Sequence, residues 1–177
     1  MTEHNARHKV VVIGGGYAGT IAANHLRMRT DVDITLVNPR PTFVDRVRLH
    51  QLAAGTGDST VDYGTLLGGG IELVVDSATR IDTSVGTVQL ASGRALDYDH
   101  VIYAVGSVAA VPSSVSGAAE FAFPIAEFES AQRLRARLGE LPSMPRSPWS
   151  AAGRPVPRRL PNWPNKGARS RWCAAAP

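Results

Sequence analysis

Cysteine is nearly absent: Cys173 is the single one in 177 residues. That excludes an intramolecular disulfide, a Cys-x-x-Cys redox pair and a cysteine-rich zinc site. Long apolar runs are missing too, and no window approaches the roughly 18 residues that read as a membrane span. The opening MTEHNARHK leads straight into a strand-like stretch, without the basic-then-apolar pattern of a signal segment. The expectation is a cytoplasmic protein with no transmembrane segment.

Acidic residues are missing from one part of the chain only. Residues 141–177 hold 7 basic and no acidic residues, 8 of the 12 prolines and all three tryptophans. Residues 1–140 hold 12 basic against 15 acidic residues, so the formal +4 comes entirely from the tail. A nucleic-acid footprint is therefore not expected on the folded part. The composition divides the chain into an arm (1–8), one domain (9–140) and a Pro/Arg-rich tail (141–177) expected to be disordered.

Within the domain, Lys9–Ile13 is a β-branched run of the kind that forms a buried central strand of a parallel sheet. Tyr17–Arg29 follows with apolar residues at Ala18, Ile21, Ala22, Leu26 and Met28, a helical spacing. Val32–Val37 is a second strand, stopped by Asn38-Pro39-Arg40-Pro41, and the three elements make one βαβ unit. Residues 42–70 read as irregular, with short helices around Arg46–Ala54 and Val61–Leu67. Ile71–Asp76 reads as a strand, Ala78–Asp82 and Thr87–Leu90 as a hairpin, and His100–Val105 as a strand that re-enters the sheet. Glu127–Leu138 is a helix with Phe128, Ala131, Leu134 and Leu138 on one face and a possible Glu129–Arg133 pair. The fold class is α/β: a Rossmann-like domain with a parallel sheet and an inserted antiparallel meander.

Gly14-Gly15-Gly16-Tyr17-Ala18-Gly19 fits G-x-G-x-x-G between the first strand and the first helix. Such a turn needs Gly14 to bend sharply, Gly16 to admit a pyrophosphate and Gly19 to bring helix and strand together. The helix N-terminus offers free N–H groups to the phosphates. A charge usually closes the second strand to hold the ribose; here Asn38 stands there, with Arg40 two residues on as either a partner for a 2′-phosphate or a solvated side chain. The turn alone leaves FAD, NAD and NADP open. His25 and His100 read as structural, and no metal-ligand cluster is evident.

Tyr98–Gly106 closes the insertion and ends in Ala104-Val105-Gly106. With that strand and the opening turn, residues 9–140 resemble the pyridine nucleotide–disulfide oxidoreductase superfamily, and in it the type II NADH dehydrogenases and related disulfide-free FAD reductases. The resemblance implies that Gly14, Gly15, Gly16, Ala18 and Gly19 take the FAD pyrophosphate. It puts Asn38 at the adenosine ribose, with Pro39 and Arg40 beside it, and Val75 beside the adenine. Arg46 and Arg48 read either as neighbours of the FAD phosphates or as solvated side chains, and His50 either as a flavin neighbour or as structural. Ala104-Val105-Gly106 corresponds to the family's Ala-Thr-Gly strand end, and Phe43–Leu52 to the stretch under the flavin. Two departures stand out, Asn38 for a charged residue and Val105 for Thr. The implied activity is hydride transfer from NAD(P)H to FAD and on to a quinone or other acceptor, with peripheral membrane association open to a complete enzyme. The runner-up is a single-domain NAD(P)-binding regulatory or structural protein.

A complete reductase of this kind continues into a second G-x-G-x-x-G for the nicotinamide nucleotide. Codons compatible with Arg146–Pro157, read from the third base, translate as V-T-V-V-G-G-G-P-T-G-A, a strand running into that second turn. The tail is therefore read as out-of-frame sequence, with the shift between about Pro142 and Arg146, and the chain is expected to be inactive as it stands.

Overall fold

The computed structural model describes residues 7–111 and 114–141. The chain begins β1 (His8–Ile13), α1 (Tyr17–Leu26) and β2 (Val32–Asn38). It continues through β3 (Thr42–Val44), a single 3-10 turn (Arg46–Arg48), α2 (Leu49–Ala54), β4 (Thr60–Asp62) and α3 (Tyr63–Leu66). Then come β5 (Ile71–Val75), β6 (Ala78–Asp82), β7 (Thr87–Leu90), β8 (Ala95–Asp97) and β9 (His100–Tyr103). Two helices follow, α4 (Ala118–Phe121) and α5 (Phe128–Gly139).

The centre is a four-stranded parallel sheet in the order β5-β2-β1-β9. Alternation along β1 sends its side chains to two cores. Val10 and Val12 join Ile34, Leu36, Ala23, Phe43 and Tyr63 on one face. Val11 and Ile13 join Val37, Val74, Val88 and Leu90 on the other, where β6-β7-β8 form an antiparallel meander. Val12, Leu36, Val37 and Val88 are almost fully buried, each such side chain contributing about 1.5–3 kcal/mol over exposure. The fold is the α/β, Rossmann-like arrangement with added antiparallel strands that its sequence pattern implies.

Several local expectations differ from the structure. α1 stops at Leu26, and its inner face is Gly19, Thr20 and Ala23, whereas Ile21 (60 % exposed) and Met28 (71 %) point outward. Small residues face the sheet because they let the helix backbone come close, a criterion that hydrophobicity does not report. Residues 42–62 contain a two-stranded antiparallel pair, β3 with β4, and the meander has a third strand, β8. In α5, Ala131, Phe128 and Leu134 pack on Leu49, Leu52 and Ala53 of α2, but Leu138 is 47 % exposed. The Glu129–Arg133 pair is not made: Arg133 donates to Ser130 Oγ, and Glu129 is taken by Arg40. Most of the tail, residues 142–177, lies outside the described residues, so its expected disorder is not described.

Candidate functional site

The ends of β1, β2 and β9 converge on the glycine turn. Gly14 adopts φ +103°, open only to glycine in practice. Its N–H donates to the Val37 carbonyl at 2.9 Å, while the Ala104 N–H donates to Ile13 O at 2.8 Å. A Cβ on Gly14 would stand 2.4 Å from the Ala104 carbonyl oxygen. Gly19 is just as constrained, since its Cβ would lie 1.8 Å from Gly14 O. Both glycines are therefore required by the protein's own packing.

Gly15 is held from three sides. Its N–H donates to Asn38 Oδ1 at 3.0 Å. Its carbonyl accepts from the Tyr63 hydroxyl at 2.6 Å and from Thr20 Oγ1 at 3.2 Å. Burial pushes the Tyr63 phenol up to about 12, so it stays a donor through the neutral range.

Gly16 differs from the others. It is the N-cap of α1, with φ −75° and ψ −167°, a backbone that any residue adopts. A Cβ there would meet no atom of the described residues within 4 Å. No side chain caps this helix, and the N–H groups of Gly16, Tyr17 and Ala18 find no acceptor among the described residues. Four unsatisfied donors are normal at a helix start and are met by caps, water or ligands.

These groups border a cleft of about 720 Å³. Of the residues singled out in the sequence, Gly14, Gly15, Gly16, Ala18, Asn38, Pro39, Arg40, Arg46 and Ala104–Gly106 line it together. Gly19 does not, because it faces inward under the turn. Val75 does not either; it is exposed at the end of β5, and Asp76, Ser77 and Ala78 line the cleft instead. Sequence reading also passed over Tyr63, Glu127 and Glu129, which line the cleft from distant elements.

The polar side chains are already engaged. Asn38 is buried, its Oδ1 on the Gly15 N–H and its Nδ2 donating to the Arg40 carbonyl at 2.8 Å. Arg40 binds the Glu129 carboxylate, with Nε 3.1 Å from Oε1; this contact holds the Glu129 carboxyl below the usual range. Arg46 donates to the carbonyls of Ala126 at 2.9 Å and Ser107 at 3.0 Å, tying two loops across the mouth. The Tyr17 hydroxyl donates to Asp45 Oδ1 at 2.5 Å, which raises the phenol's pKa, and its ring meets Phe43 edge-on at 5.1 Å. His50 is exposed and does not line the cleft.

A parallel sheet with a glycine turn, an uncapped helix N-terminus and a cleft over the carboxyl ends of its strands defines a dinucleotide-binding α/β protein. The chain belongs to the pyridine nucleotide-disulphide oxidoreductase family, whose model matches residues 8–147, and to its type II NADH dehydrogenase-like branch. It is 32 % identical over 146 residues to the NADH dehydrogenase-like protein Rv1812c of Mycobacterium tuberculosis (strain ATCC 25618 / H37Rv), a match covering 77 % of this chain and 36 % of that protein. It is 38 % identical over 106 residues to the sulfide-quinone reductase of Aquifex aeolicus, covering 57 % of this chain and 24 % of the relative.

Among solved structures, the Aquifex aeolicus sulfide:quinone oxidoreductase superposes with a TM-score of 0.64 at 30 % identity, over 76 % of this chain and 32 % of that one. NDH2 from Plasmodium falciparum in complex with NADH shares the fold, with a TM-score of 0.60 at 20 % identity over 73 % of this chain and 28 % of that one. The chain thus spans between about a quarter and a little over a third of the length of these relatives. Among the described residues, no helix is long and apolar enough to cross a membrane.

Proposed function

We propose that residues 9–140 are the FAD-binding part of an NAD(P)H-dependent flavoprotein oxidoreductase, with a quinone or another external molecule as final acceptor. Gly16 carries this reading. Gly14, Gly15 and Gly19 answer to clashes within the protein, whereas nothing among the described residues requires a glycine at 16. A ligand lying against that bare backbone does require one.

The residues present fit such a ligand. The free N–H groups of Gly16, Tyr17 and Ala18, at the positive end of α1, suit a pyrophosphate. The adenosine side falls to the ends of β2 and β5, at Asn38–Arg40 and Asp76–Ala78. Ala104, Val105 and Gly106 form the wall continuing β9, and Arg46 holds that wall through Ser107 O. FAD, when bound, supplies a two-electron acceptor for hydride; the chain's part is to orient it.

The test compares two glycines in the full chain by flavin-fluorescence titration and thermal melting. Gly16→Val is expected to weaken FAD at least tenfold with the melting temperature unchanged. Gly19→Val is expected to destabilise the fold itself. Unchanged FAD affinity in Gly16→Val overturns the assignment, and binding of NAD(P) without flavin favours a single-domain nucleotide-binding protein instead.

For residues 141–177 the proposal is an out-of-frame segment, with the nicotinamide-binding part encoded in the shifted frame. The family match ends at residue 147, beside the proposed shift at 142–146. Coding DNA read in three frames across codons 140–180 tests it. A chain carrying the printed tail is then expected to show no NAD(P)H-dependent dye reduction above free flavin.

A further inference from the structure

The usual carboxylate at the end of the second strand is absent from this chain, and Asn38 does not substitute for it. Its Oδ1 is occupied by the Gly15 N–H and its Nδ2 by the Arg40 carbonyl. A carboxylate nevertheless lines the cleft beside that strand end. Arg40, two residues beyond Asn38, holds Glu129 from the first turn of α5. Both Arg40 contacts fall on one oxygen, Oε1. Oε2 has no donor among the described residues, and the side chain is more than half exposed to the cleft and solvent.

We propose that Glu129 accepts the adenosine ribose hydroxyls, and that the Arg40–Glu129 pair excludes dinucleotides carrying a 2′-phosphate. The proposal rests on the dinucleotide reading of the cleft and deepens it. The ribose of a nucleotide bound at such a turn lies at the end of the second strand, which is where Arg40 places the free oxygen. The acceptor has moved in sequence from the strand to a helix.

The same pair sets specificity through a repulsive element. Arg40, taken alone, is the kind of residue that accommodates a 2′-phosphate. Here its guanidinium is committed to Glu129, and a phosphate arriving there meets a carboxylate instead. Arg40 keeps that carboxylate ionised by its hydrogen bonds, and a position in the first turn of α5 favours the same state. The two other carboxylates bordering the cleft are held elsewhere. Glu127 accepts from the Ala109 N–H, and Asp76 from the N–H groups of Ser77 and Ser92.

Calorimetric titration of the full chain with ADP, 2′-deoxy-ADP and 2′-phospho-ADP tests this. The wild-type chain is expected to favour ADP over 2′-deoxy-ADP by about tenfold, the scale of one charge-assisted hydrogen bond, and to reject 2′-phospho-ADP. In Glu129→Gln the 2′-deoxy discrimination disappears, and 2′-phospho-ADP becomes the tightest of the three because Arg40 is released. Adding Arg40→Gln to that variant removes the gain. Glu129→Asp, which keeps the charge on a shorter arm, loses the hydroxyl preference but still rejects the 2′-phosphate. This second variant decides the matter if the first fails to fold. Wild-type ratios in Glu129→Gln or Glu129→Asp overturn the proposal while leaving the Gly16 test untouched. A wild-type chain that binds none of the three nucleotides overturns both.

Discussion

The hydroxyl of Tyr63 stands 2.6 Å from the carbonyl oxygen of Gly15, joining the start of α3 to the middle of the glycine turn. The contact leaves no room for a side chain on the turn. A Cβ at Gly15 would lie 2.0 Å from that hydroxyl and 2.9 Å from the Asn38 Cγ. The central x of the G-x-G motif is thus as constrained as Gly14 and Gly19, and far more so than Gly16.

Gly15→Ala should therefore destabilise the domain by about 2–4 kcal/mol, combining overpacking with a displaced buried hydrogen bond. Tyr63→Phe should cost only about 1 kcal/mol, since Gly15 O still accepts from Thr20 Oγ1. The two changes should be less than additive, because Phe removes the atom that the alanine methyl meets first. Urea unfolding of the two single variants and the double variant measures this.

Tyr63 also gives a pH signature. Its folded pKa is raised to about 12 from 10.0, chiefly by burial. A raised pKa favours the proton-bound folded state, so the contribution is fully present below about 10. It is lost as pH climbs through the folded value of about 12. The stability difference between wild type and Tyr63→Phe should stay flat to about pH 10 and fall between 10 and 12. Denaturant titrations of both proteins across that range check the sign.

Asn38 is an amide because it both accepts and donates. Asn38→Asp keeps an acceptor for the Gly15 N–H but sets a carboxylate oxygen against the Arg40 carbonyl. Asn38→Leu leaves the buried Gly15 N–H without a partner. Each should cost about 1–3 kcal/mol. The loss in Asp should shrink as pH falls and the carboxyl gains a proton, whereas the loss in Leu should not change. Melting temperatures at pH 4 and pH 7 separate the two.

Much of this fold was legible in the sequence where the signal is local. The Lys9–Ile13 run marks the central strand, and glycine spacing marks the turn that follows it. The face of α1 was not legible, because Gly19, Thr20 and Ala23 are chosen for close approach and carry little hydrophobic signal. Strands of three residues such as β3 and β4 are too short to show a period. The cleft's polar contacts were hidden for another reason: Arg40 and Glu129 are separated by 89 residues, Gly15 and Tyr63 by 48. A helix pattern suggested Arg133 as the partner of Glu129, and a more distant cation took its place.

The pairing of β1 with β9 has a consequence in time. Val10 lies beside His100, and Ile13 beside Tyr103, so the chain must close a long loop before this pair forms, a costly and slow event in folding. Gly14 reaches its native enclosure only when the Ala104 carbonyl arrives next to it. A nascent chain on the ribosome can already hold β1, α1 and β2, yet its glycine turn lacks one wall until residue 104 has emerged.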